Sequence, residues 1–358
     1  MMPRLPTLTM SRELLGWLRE DPLWSQLDWR LRAALAWKAG WGSINARLSE
    51  AQTSSTLASP NPLSPLLILG PWRSGTTVMH ELLTAATGWP TPLTWQCMDA
   101  CAFRLAGAER ARRSTVRIAR PMDGLALGAD SPQEDEFALL ALGQPSAYRA
   151  FLMPHRIMEM LPMLDAEFWL QNPQWLRPWE SFMRAVLAGS GYADNRLILK
   201  SPNHSFRVQA ILRRFPQAKV VWMLRDPLDI FHSNRKMWRA MFAEHGLTAT
   251  DPESLDAFLS QALLASADAL LWAATNIGPD QFSVCAQEAL RQQPGVEVSR
   301  VMQALGLADK LKPESLHRAI ERTRVVKTEV YLGEIPASSR AAVNALREVQ
   351  AIAVSACA

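Results

Sequence analysis

Residues 66–79 constrain the fold more than any other stretch. Leu66-Leu67-Ile68-Leu69 is short and wholly apolar, the composition of a strand buried on both faces of a parallel sheet. Gly70-Pro71 ends it, and an apolar-periodic pattern from Val78 to Ala86 reads as a helix. Between them lies Gly70-Pro71-Trp72-Arg73-Ser74-Gly75-Thr76-Thr77. A strand that passes through a glycine-bounded loop into a helix aims backbone N–H groups and the positive helix end at one point, which is an anion site. Gly70 and Gly75 have the spacing of a nucleotide-phosphate loop, but the lysine and magnesium-binding hydroxyl that should follow are replaced by Thr76 and Thr77. The cation stands inside the loop instead, as Arg73.

Other runs match the first. Arg196–Lys200, Lys219–Leu224 and Phe282–Cys285 read as further buried strands, and helical patterns separate them at Phe206–Phe215, Leu228–Phe242 and Leu255–Asn276. Alternating strands and helices imply an α/β fold, a P-loop-type parallel sheet flanked by helices. From about 91 to 190 no strand pattern is legible, so this part reads as a helical insertion that builds a substrate site. Residues 1–64 read as N-terminal helices and a polar linker from Ser49 to Ser64. The helices show apolar faces at Leu14, Leu15, Trp17 and Leu18 and at Leu31, Ala34, Leu35 and Trp37. The α/β domain then occupies 65–330, and 331–358 forms a C-terminal helix.

The 358 residues are 48% hydrophobic and 20% charged, which provides for a sizeable core and excludes wholesale disorder. No apolar run approaches the roughly 18 residues of a membrane span, and the start lacks a signal-peptide pattern. A cytoplasmic protein without a membrane partner is expected. Cys97, Cys101, Cys285 and Cys357 form no disulfide framework and no zinc spacing, so no metal is expected. Six arginines between Arg104 and Arg120 are interleaved with alanine, leucine and valine, without a nucleic-acid-binding motif. They read as a solvated helix face, and no nucleic-acid partner is expected.

Pro71-Trp72-Arg73-Ser74-Gly75-Thr76-Thr77 resembles the P-x-[KR]-S-G-T-T loop of sulfotransferases that use 3′-phosphoadenosine 5′-phosphosulfate (PAPS). Arg225-Asp226-Pro227 with Ser233 is similar to the family's R-[DN]-P-x-x-x-x-x-S segment, whose arginine and serine hold the donor's 3′-phosphate. Glu134-Asp135-Glu136-Phe137 and Leu199-Lys200-Ser201-Pro202-Asn203-His204 resemble the E-D-E-F and L-K-S-P-x-H motifs of the bacterial-type branch. The matches run in order from about 65 to 240. A single phosphate bearing a sulfonate needs only amides, hydroxyls and one cation, which is what the loop offers. Cys285–Leu290 stands where the branch often has Y-E-D-L. The basic C-terminal donor loop is not evident, although Arg322, Arg324 and Lys327 lie in that region.

The resemblance implies in-line transfer of a sulfonate from PAPS to a hydroxyl or amine of a small-molecule acceptor, leaving adenosine 3′,5′-bisphosphate, with no metal. It assigns Pro71 to Thr77, Arg225 and Ser233 to donor binding. Arg73 and Lys200 would stabilise charge on the transferring group. The acid–base group is His204 or a carboxylate among Glu134, Asp135 and Glu136. Ser131-Pro132-Gln133-Glu134 also reads as a capping box, which would make Glu134 structural. Trp169, Trp175 and Trp179 cluster in the insertion and Trp95 and Trp238 flank the site; core packing explains most of them. The competing readings are a P-loop kinase or NTPase, with Asp226 the candidate metal ligand, and a non-catalytic nucleotide-binding protein.

Overall fold

The computed structural model describes residues 10–53, 62–105, 117–119, 126–192, 194–322 and 335–357. Arg324, Lys327, most of the arginine run and half of the linker, residues 54–61, lie outside them; the linker's first five residues are helical instead, as the end of the helix Trp29–Thr53.

Four apolar segments form one parallel sheet. Within the described residues these are β1 (Leu66–Leu69), β4 (Ile198–Lys200), β5 (Lys219–Leu224) and β6 (Phe282–Ala286), in the order β4-β1-β5-β6. Leu66 is in register with Ile198 on one side and Lys219 on the other, and Val220 with Phe282. All four residues of β1 are buried, so a strand this short is held by packing on both faces. One core cluster joins Leu67, Leu69, Leu199 and Trp222 to Trp169, Trp175 and Trp179 on one face; another joins Leu66, Ile68, Val221 and Met223 to Met79, Leu82 and Val301 on the other. These four strands match the sequence expectation.

Helices fill the connections. In chain order the helices the site depends on begin with α1 (Arg12–Arg19), α2 (Trp29–Thr53), α3 (Thr76–Thr87) and α4 (Thr94–Met98). The insertion adds α5 (Glu136–Ala141), α6 (Ala166–Gln171) and α7 (Leu176–Ser190), and α8 (Val208–Arg214) follows β4. Next come α9 (Pro227–His245) and α10 (Pro252–Asn276). Beyond β6 lie α11 (Gln287–Gln292), α12 (Pro294–Ala304), α13 (Pro313–Arg322) and α14 (Ala337–Ala356).

Three expectations change. The insertion is not strandless: β2 (Arg117–Ala119) and β3 (Ala126–Gly128) form a small antiparallel ribbon, too short for a period-two pattern to show. Helix α10 is long and apolar enough by composition to cross a membrane, yet 56% of its most apolar window is buried inside the molecule, so it is a core helix. In α2, Leu35 faces the core while Trp37 faces outward, so the two do not share one face.

Candidate active site

The site lies at the carboxyl ends of β1, β4 and β5, where open parallel sheets receive ligands. Gly70 leaves β1 with φ +131°, and a Cβ there would lie 2.6 Å from the Met223 carbonyl oxygen, so only glycine fits the turn. The Ser205 hydroxyl accepts the Gly70 N–H at 2.9 Å. The Ser74 hydroxyl donates to the Pro71 carbonyl at 2.7 Å and closes the loop on itself. Gly75, with φ +94°, caps α3, and the helix starts at Thr76 with its first N–H groups turned toward the loop.

Arg73 stands in left-handed backbone, φ +70°, the one non-glycine residue to do so among the described residues. Such a conformation costs about 1–2 kcal/mol for a residue with a Cβ. Neighbours hold it there: Arg225 Nη1 donates to the Arg73 carbonyl at 2.9 Å, and Arg73 Nε donates to Ser233 Oγ at 3.1 Å. Thus the phosphate loop, the end of β5 and the second turn of α9 meet, as the sequence predicted for Arg73, Arg225 and Ser233. The Asn234 amide donates to the Trp72 carbonyl at 3.0 Å and braces the same loop. The Trp72 indole points away from the loop into an aromatic cluster with Phe206, Trp238, Phe258 and Tyr148. The side chains of Trp72 and Ser74 therefore anchor the loop itself, while Arg73 and Thr77 remain half-buried at its rim.

The acidic triplet and the segment after β4 are joined by three close side-chain pairs. Lys200 Nζ lies 2.6 Å from Glu134 Oε1, His204 Nε2 lies 2.7 Å from Asp135 Oδ2, and Arg207 Nη2 lies 2.9 Å from Glu136 Oε1. Ser201 caps a short 3-10 turn, Pro202–Arg207, that sets Lys200, His204 and Arg207 on one side. The lower two pairs are sealed. His204, Asp135 and Glu136 are fully buried and Arg207 nearly so. Trp179 Nε1 also donates to Asp135 Oδ2, and Arg207 lies between the faces of Trp169 and Trp175 at 4.1 and 4.8 Å. Burial works to raise the Asp135 carboxyl, but His204 beside it and the hydrogen bonds from His204 and Trp179 hold it below the ordinary carboxylate range.

Only the top pair borders open space. The Glu134 side chain is 14% exposed, against 3% for Lys200, and its second oxygen accepts the Tyr148 hydroxyl at 2.6 Å. The Tyr148 ring packs on Phe151 and Trp238, which are buried, and on Phe137, which is half-buried, so the carboxylate is anchored to the aromatic core. Burial and the Glu134 charge together push the Tyr148 hydroxyl well above its ordinary range, so it stays a donor.

The capping box does not form. The Ser131 hydroxyl accepts the Gly128 N–H and an Arg117 N–H, and α5 begins only at Glu136, the last residue of the triplet. Glu134 is thus held by Lys200 and Tyr148 rather than by a helix start. Sequence reasoning missed Tyr148, Ser205 and Arg207, and named Trp179 without its bond to Asp135. Arg207 carried a signal, since it follows Lys200 and His204 at helix-like spacing opposite three consecutive acids; Tyr148 carried none. No group of His, Cys, Asp and Glu suited to a metal ion occurs among the described residues.

A sequence profile described as the sulfotransferase family matches residues 65–310. Two curated relatives, omega-hydroxy-beta-dihydromenaquinone-9 sulfotransferases (Stf3) of Mycobacterium bovis and Mycobacterium tuberculosis, are each 31% identical over 247 residues, 68% of this chain and 63% of theirs. The chain therefore spans less than two thirds of those relatives. Among solved structures, sulfotransferase STF9 from Mycobacterium avium superposes with a TM-score of 0.64 at 18% identity, over 96% of this chain and 88% of that one. Sulfotransferase STF1 from Mycobacterium tuberculosis does so with a TM-score of 0.56 at 16% identity, over 97% and 90%. Both share the fold.

Proposed function

Because the chain belongs to the sulfotransferase family, we propose that it transfers a sulfonate from PAPS to a hydroxyl on an apolar small molecule. The observation that carries this is the Glu134 carboxylate, held between Tyr148 and Lys200, the last residue of β4.

The residues suit such a donor. Arg225 and Ser233 offer a 3′-phosphate site, and the loop amides, Thr77 and the neighbouring Arg73 offer a 5′-phosphosulfate site. The bound donor supplies an activated sulfonate and leaves as adenosine 3′,5′-bisphosphate. Glu134 accepts the acceptor's proton as the hydroxyl oxygen attacks. Lys200, at the strand end, and Arg73 face the charge that grows on the departing oxygen. Tyr148 fixes the carboxylate by donating to its other oxygen. His204 and Asp135 face each other in the interior, and their part in this reading is to hold the segment that carries Lys200 and Glu134.

The relatives act, by name, on a hydroxylated quinone. Those names favour an acceptor of that kind here, a hydroxyl carried on a large apolar body. The test is calorimetric titration with adenosine 3′,5′-bisphosphate against ADP and magnesium-ATP, on wild type and Arg225→Ala. Metal-free binding of the 3′-phosphorylated nucleotide, lost in Arg225→Ala, is expected. A preference for magnesium-ATP would overturn the proposal in favour of a kinase. Transfer of labelled sulfonate to an ω-hydroxylated isoprenoid, lost in Glu134→Gln, then tests the acceptor class.

A further inference from the structure

Helix α2 is apolar on two faces, and only one of them is covered by other described residues. Leu35 and Ala39 are fully buried in the cluster that holds Met10, Leu14 and Leu18. Gly42 lies so close to the Met10 backbone that a Cβ would reach 2.4 Å from its carbonyl oxygen. The opposite face carries Trp37, Trp41, Ile44 and Leu48, which are 74%, 56%, 49% and 51% exposed. At about 100° per residue these four positions fall within one narrow stripe. The rings of Trp37 and Trp41 stack with centroids 6.5 Å apart, and Trp29, 66% exposed, flanks the stripe at the helix start. A continuous exposed stripe of large apolar side chains marks an interaction site.

We infer that this stripe rests on an anionic phospholipid surface. From Trp29 to Leu48 the sequence has four cations, Arg30, Arg32, Lys38 and Arg47, and no anion. Arg30 and Arg47 are exposed at the two ends of the stripe. A second copy of the chain fits this face poorly: antiparallel pairing about a two-fold axis would bring Arg30 toward the other copy's Arg47 with no carboxylate between them. An anionic leaflet would meet the exposed Arg30 and Arg47 alike, and tryptophan is the side chain that settles at headgroup depth. Nothing in α2 spans the bilayer; the helix lies on it. The expectation of no membrane partner came from counting spanning runs, and a helix that lies flat escapes that count. In a cytoplasmic protein the surface would be the inner leaflet, from which an apolar acceptor could be presented.

The experiment is co-sedimentation of the full chain with vesicles of phosphatidylcholine alone, or mixed with phosphatidylglycerol, without donor or acceptor, so its outcome is independent of the proposed reaction. Wild type is compared with Trp37→Ser/Trp41→Ser and with Arg30→Gln/Arg47→Gln. Binding to the phosphatidylglycerol vesicles is expected, weakened by salt and accompanied by a blue shift of tryptophan emission. The arginine pair should weaken it by about fivefold per charge, and the tryptophan pair should abolish it. Circular dichroism and thermal midpoint should stay as in wild type, because these side chains touch no core. Absence of binding, binding indifferent to the tryptophan pair, or a dimer at sedimentation equilibrium that Trp37→Ser/Trp41→Ser dissociates would each overturn the inference.

Discussion

Glu134 Oε1 and Lys200 Nζ lie 2.6 Å apart although 66 residues separate them in the chain. The contact joins the insertion to the end of β4 at the one rung of the three-pair ladder that still reaches solvent. Buried ion pairs add little net stability, because desolvation offsets most of the attraction. Here the arrangement gives position: two sealed rungs fix the strand segment, and the third presents a carboxylate.

Replacing Glu134 with Gln keeps the shape and the bond to Tyr148 but removes the proton acceptor. Turnover should fall by about 10²–10⁴-fold, the usual contribution of a general base. Binding of adenosine 3′,5′-bisphosphate should stay within twofold of wild type, roughly the scatter of such titrations. Steady-state kinetics beside calorimetry would check both; equal losses in binding and turnover would place Glu134 in the donor site instead.

The left-handed backbone at Arg73 predicts a stability order. Arg73→Gly should be more stable than Arg73→Ala by about 1 kcal/mol, since only glycine adopts φ +70° without a Cβ clash. Both variants should lose donor affinity alike. Urea unfolding paired with nucleotide titration would show it, and an alanine variant as stable as glycine would mean that the loop relaxes once the guanidinium is gone.

Removing one partner of the lowest rung should cost far more than removing both. Arg207→Met leaves the fully buried Glu136 without its cation and should destabilise by about 3–5 kcal/mol. Arg207→Met with Glu136→Leu should recover most of that, because the methionine can still lie between Trp169 and Trp175. Chemical denaturation of the two single variants and the double variant completes the cycle.

His80 gives a pH prediction. Burial, and then the nearby Lys200 charge, lower its pKa from 6.5 to about 3, and its Nε2 pairs with Thr91. A folded-state pKa below the unfolded value means that the unfolded chain binds the extra proton. The contribution to stability is complete above pH 6.5 and is lost as pH falls from there toward 3. The slope approaches about 1.4 kcal/mol per pH unit. Stability measured from pH 7 to 4 should fall less steeply in His80→Gln than in wild type; parallel curves would contradict the assignment.

What was legible in the sequence was local. Leu66–Leu69 and its three companions are strands because a wholly apolar run of that length has few alternatives, and the glycine-bounded turn from Gly70 into the helix at Thr76 was legible from spacing, its reading as a donor loop only from the resemblance. The partnerships were not legible. Glu134, Asp135 and Glu136 looked equivalent, as three acids in a row, and only the fold shows that two of them face inward to His204 and Arg207. Helix start signals at Ser131 and Pro132 were real residue preferences, overruled when Lys200 and His204 claimed the carboxylates. Tyr148 was hidden because its contact with Glu134 depends on how a 3-10 turn folds back. Trp179 and Trp175 were correctly weighed as core residues, but a core tryptophan can also hold a buried carboxylate or cover a guanidinium.

The ladder has a consequence for anyone who would exchange parts between relatives. Its acids are adjacent in the chain, whereas its cations stand four and then three residues apart, so the two segments fit in one alignment only. An insertion transplanted from a relative to change acceptor preference should function only when its acidic triplet meets a lysine, a histidine and an arginine at those spacings. Deleting a single residue between Lys200 and Arg207 should ruin a graft that every sequence-identity score would approve. In this fold the portable unit is therefore the insertion together with the turn after β4.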